Sequence, residues 1–124
     1  MEVFRSTRGA SVSNQESPMV NFFPGVADRA VFAPDKMQKL DCFATPRLRL
    51  GLNCFEPGQS QQAHAHEGAD KFYLVLSGKA TVTVGDETRE VGAGDLVFAP
   101  EGVPHGVPVA HERTVMLIGI TRQP

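Results

Sequence analysis

Three of the chain's four histidines lie in two short segments, Gly58-Gln-Ser-Gln-Gln-Ala-His64-Ala-His66 and Gly94-Asp-Leu-Val-Phe-Ala-Pro100-Glu-Gly102-Val-Pro-His105. Imidazole is the commonest protein metal ligand near neutral pH. His64 and His66 are two residues apart, so on a strand their rings leave the same face. His105 follows about forty residues later. It joins them only in a fold that lays its own strand beside theirs, which demands non-local strand pairing.

The rest of the chain reads the same way. Leu48, Leu50, Leu52 and Cys54 alternate with Arg47, Arg49, Gly51 and Asn53, the period of a half-buried strand. Phe72 to Leu76 is an apolar run closed by Ser77-Gly78. Thr81 to Val84 meets Gly85-Asp86, a dipeptide suited to a hairpin turn, with Thr88 to Val91 as its return. Leu96 to Ala99 ends at Pro100, and Thr114 to Thr121 is mostly β-branched or apolar. No stretch holds a helical period. Strands recurring at about 8–12 residues predict an all-β barrel or sandwich.

The 124 residues suffice for one domain with its own core. The predicted division is an N-terminal arm with accessory strands over 1–46 and a barrel over 47–124. Ser11 to Pro18 is polar and reads as a loop or mobile arm. Phe22-Phe23 is expected to pack on the barrel or on a partner subunit. Val31 to Phe43 has room for one or two strands, with a turn at Pro34-Asp35. The net charge of −2 gives no basic surface, so nucleic acid is not expected as a partner. No apolar run approaches a membrane span, and the first residues do not resemble a secretory signal, so a cytoplasmic location is expected. Cys42 and Cys54 are expected to be reduced thiols, Cys54 packed in the core.

On these residues the chain resembles the cupins. Gly58, His64, His66 and Gly78 fit the family's first motif, and Gly94, Pro100, Gly102 and His105 fit the second with its spacings intact. The closing asparagine of the second motif falls on Val109. The resemblance covers roughly residues 47 to 121 and implies an antiparallel jelly-roll barrel. It also implies a homodimer and a divalent metal (Fe, Mn, Ni or Zn) on His64, His66 and His105. A small molecule entering the barrel mouth would chelate that metal. Dioxygenation or isomerisation of a small oxo acid or sugar derivative fits such a site. A non-catalytic ligand-binding or sensor module, metal-free in some members, is the alternative.

The motif's acidic ligand is the main departure. Counting on from His66 places it at Asp70, and counting back from Gly78 places it at Lys71. Neighbours on a strand face opposite ways, so only one of the pair points inward. An ammonium ~5 Å from a dication at an effective dielectric of ~20 is repelled by roughly 6–7 kcal/mol. Asp70 is therefore the preferred fourth ligand. With Lys71 inward instead, the centre would be three histidines beside a cation able to stabilise an enolate. Arg49 is a candidate anchor for a substrate carboxylate or phosphate. Phe55, Tyr73, Phe98 and Met116 are the expected pocket walls. His111 is expected in a loop, without a chemical role.

Overall fold

The computed structural model describes residues 20–122. The polar stretch Ser11 to Pro18 lies outside them. Among the described residues nine strands follow a short 3-10 helix at Val26–Arg29. They are β1 (Gln38–Ala44), β2 (Leu48–Phe55), β3 (Gln61–His64), β4 (Lys71–Ser77), β5 (Lys79–Val84), β6 (Glu87–Gly92), β7 (Leu96–Ala99), β8 (His105–Ala110) and β9 (Thr114–Thr121). One sheet has the order β1-β2-β9-β4-β7 and the other β3-β8-β5-β6. Every pairing is antiparallel. This is a jelly-roll barrel.

Alternation explains where the core sits. The inward faces of both sheets meet in one cluster that includes Phe55, Tyr73, Val75, Val82, Val107 and Met116. The outward side of the five-stranded sheet carries Leu52, Cys54 and Val115. The chain before β1 covers them with Val26, Ala30 and Phe32. The second half of β2 is thus buried on both faces, although its sequence alternates like a one-sided strand. Cys54 packs there as expected. Both cysteines are free, and burial pushes both thiols up from their ordinary range.

Residue 47 is a turn between paired strands, because β1 is hydrogen-bonded into the sheet beside β2. The stretch Val31 to Phe43 contributes one strand, β1, which starts only at Gln38. Phe23 stacks on Phe43 with ring centroids 5.9 Å apart, while Phe22 is exposed. The four motif glycines, Gly58, Gly78, Gly94 and Gly102, all take positive φ. At Gly78 (φ 91°) a Cβ would run into the Arg113 carbonyl and Thr114, so no other residue fits that corner.

Candidate metal centre

The geometry that joins the three histidines begins with a bulge. Gln61 pairs with Val107 and His64 with His105, a shift of register that places an extra residue in β3. Gly106 lets the strands approach, since a Cβ there would lie 2.8 Å from Ala63 Cα. His64 ends β3 and His105 opens β8, so the two rings face each other across the ladder, centroids 4.6 Å apart. His66 lies just past β3. Its carbonyl accepts the Gly102 N–H at 2.9 Å, which ties the first motif to the second.

One ring nitrogen from each of His64, His66 and His105 lies within 4.8 Å of the others. The second nitrogen of two rings has a backbone partner: His64 Nδ1 lies 3.1 Å from the Gln62 carbonyl and His105 Nδ1 2.9 Å from the Val103 carbonyl. A carbonyl can only accept, so each Nδ1 carries the proton and each Nε2 presents a lone pair. His64 Nε2 faces His66 Nε2 at 3.1 Å. His105 Nε2 is buried and has no hydrogen-bond partner among the described protein groups. Burial, the largest cause for both, lowers the pKa of His66 and His105 and so favours the neutral ring. This donor set fits a divalent cation: three convergent imidazoles, two of them oriented by backbone carbonyls.

The fourth position corrects the sequence expectation. Lys71, the first residue of β4, points inward and is only 4% exposed. Its Nζ lies 4.8 Å from the Tyr73 ring centroid. Burial, then Lys39 and Arg49, push its pKa down to about 8. Asp70 is exposed and stands outside the histidine group. Its Oδ1 accepts the Glu101 N–H at 3.0 Å and its own N–H donates to Thr121 Oγ1 at 2.9 Å. Strand geometry already holds at Lys71, which pairs with both Ala99 and Ile120, so its neighbour is turned to the rim.

The other predicted residues separate. Arg49 lines the lumen with His64, His66 and Lys71, and pairs with Asp41 at 3.0 Å. Tyr73 is fully buried, its ring centroid 6.1 Å from that of His105, and its hydroxyl has no partner among the described groups. Phe55 and Met116 are also fully buried and belong to the core rather than to the cavity wall. Phe98 is 59% exposed and does not line this cavity, because its partner-facing neighbours Val97 and Ala99 take the inward positions of β7. His111 bonds Thr81 Oγ1 at 2.7 Å, away from the site. Sequence reasoning passed over Lys39 and Gln61, and placed Asn53 without a role. All three line the cavity. The period-2 register of β2 put Asn53 on the face of Arg49; nothing comparable marked Lys39.

A family model described as a cupin domain matches residues 51–121. An uncharacterised protein of Streptomyces coelicolor is 42% identical over 60 residues, covering 47% of this chain and 54% of that protein. Oxalate decarboxylase OxdC of Bacillus subtilis is 34% identical over 68 residues, 51% of this chain and 17% of that enzyme. The chain spans about half the length, or less, of these curated relatives. The crystal structure of TT1209 from Thermus thermophilus superposes with a TM-score of 0.74 at 36% identity, covering 80% of this chain and 95% of that one. Barrel, motif spacing and family match agree, and the chain belongs to the cupins.

Proposed function

We propose that His64, His66 and His105 hold one divalent ion of the Fe, Mn, Ni or Zn type, and that a small oxygen-bearing molecule reaches it through the barrel mouth. The buried Nε2 of His105, which has no hydrogen-bond partner among the described groups and belongs to a trio of ring nitrogens within 4.8 Å of one another, carries this reading. Imidazole sets suit these metals. When bound, such an ion supplies Lewis acidity or a site for oxygen chemistry. The chain's own part is to orient the rings through the Gln62 and Val103 carbonyls and to set the Lys71 ammonium where negative charge would develop on a substrate. Dioxygenation or isomerisation of a small oxo acid or sugar derivative is the chemistry this supports. Asp70 is not part of this proposal.

Metal analysis tests the centre, on protein purified without chelators or a nickel column. About one equivalent per chain is expected, lost in His105→Ala. A ratio far below one, with no gain on adding Fe, Mn, Ni or Zn, overturns it. Oxygen uptake by the iron-loaded protein with keto acids and diketones then tests catalysis. A second reading, a ligand-binding module without catalysis, draws on Lys71 standing where the motif expects an acidic ligand. Silence across the substrate panel favours it.

We also propose a homodimer, as the family resemblance implies. Leu96 (66% exposed) and Phe98 offer it an apolar strip on edge strand β7. Sedimentation should report twice the chain mass, and Phe98→Asp should shift it toward the monomer.

A further inference from the structure

The lumen beside the histidines has a second set of groups that a metal does not satisfy. Lys71 is buried and has no carboxylate partner among the described residues. Asn53 (4% exposed) has an amide nitrogen with no hydrogen-bond partner among the described groups. Gln61 (8%) has neither its amide nitrogen nor its oxygen bonded. All three line the cavity that holds His64 and His66. The register explains the cluster. Lys39 on β1 lies directly opposite Asn53 on β2, and Ile120 on β9 pairs with both Arg49 and Lys71. The wall therefore carries Lys39, Arg49 and Lys71 against the single carboxylate of Asp41, already paired with Arg49.

Buried polar groups are normally hydrogen-bonded, and an unpaired buried cation is costlier still. The whole chain is slightly acidic, so this concentration of positive charge is local. The cavity measures about 90 Å³ and opens at a mouth, room for a small carboxylate. Gln61 narrows the chemistry further. Whichever way its amide is turned, one buried atom needs a donor and the other an acceptor. A bare carboxylate supplies only acceptors; a hydroxyl beside it supplies the donor.

We propose that Lys71, Arg49 and Lys39, with the Asn53 and Gln61 amides, form an anion site that takes a small carboxylate bearing a hydroxyl. The site shares the lumen with the proposed metal centre and deepens that reading, but its electrostatics do not need the ion.

The test uses full-length protein stripped with a chelator and then freed of it, titrated at constant ionic strength and followed by heteronuclear NMR. The probes are glycolate, acetate (no hydroxyl) and glycolamide (no charge). Glycolate should shift lumen resonances saturably, acetate should bind several-fold more weakly, and glycolamide should leave them unmoved. Lys71→Met should weaken glycolate at least tenfold. Arg49→Gln, at the exposed mouth and outside the core, should weaken it as well. Glycolamide matching glycolate, or both variants binding like the parent, overturns the anion site; acetate equal to glycolate overturns the hydroxyl. Glycolate binding that appears only after metal is restored sinks this proposal and leaves the metal centre standing. Binding by a protein that takes up no metal does the reverse.

Discussion

At position 71 the barrel buries an ammonium where the motif pattern expects a carboxylate, and the consequences are local and measurable. The folded-state pKa of about 8 lies below the ordinary 10.5. The unfolded chain therefore binds more protons between those values, and stability rises with pH across that window. Below about pH 8 the folded protein bears the whole cost of the buried charge. Lys71→Met should accordingly raise the unfolding free energy by on the order of 3 kcal/mol at pH 7, with the gain shrinking toward zero as pH approaches 10.5. Urea denaturation at a series of pH values measures this, and a pH-independent gain would refute it. Asp70 behaves as a rim residue. Asp70→Ala removes the acceptor for the Glu101 N–H and should cost about 1 kcal/mol, with metal affinity changed less than tenfold. Metal competition against a chelating dye checks the second part; a larger loss would return Asp70 to the coordination sphere.

Strand turns and bulges decide whether those residues meet. Gly78 joins β4 to β5 at φ 91°, against the Arg113 carbonyl and Thr114. Gly78→Ala adds backbone strain of about 1–3 kcal/mol, and a clash with backbone that cannot swing aside. The urea midpoint should fall accordingly with the slope unchanged. β8 was not legible in the sequence. His105-Gly-Val-Pro-Val-Ala contains Pro108, and a proline argues against a central strand, yet β8 lies between β3 and β5. β5 pairs with β8 through a register shift between Thr81 and Thr83, and the ladder skips Pro108. β2, β4 to β7 and β9 were readable from alternating or apolar runs bounded by Gly and Pro punctuation, whereas β1 was legible only as room for one or two strands between Val31 and Phe43.

Across the whole molecule, two layers of burial protect β2. Cys54 is fully buried under Val26, Ala30 and Phe32, and its thiol is pushed up by desolvation. A thiol reagent should leave Cys54 unmodified in native protein and label it only after unfolding, while the partly exposed Cys42 reacts first. Peptide mapping after brief labelling reads this out; early modification of Cys54 would mean the N-terminal segment does not cover the sheet in solution. The sequence by itself determined most of the strands and turns, and the histidine trio with its spacing, because periodicity and turn-forming glycines are local properties. Tertiary structure alone decided that Lys71, not Asp70, enters the lumen. That choice follows from where β4 locks into register with β7 and β9, on partners far away in sequence. The same pairing gathers Lys39, Arg49 and Lys71 on one wall, a juxtaposition of three strands that no single window of the chain contains.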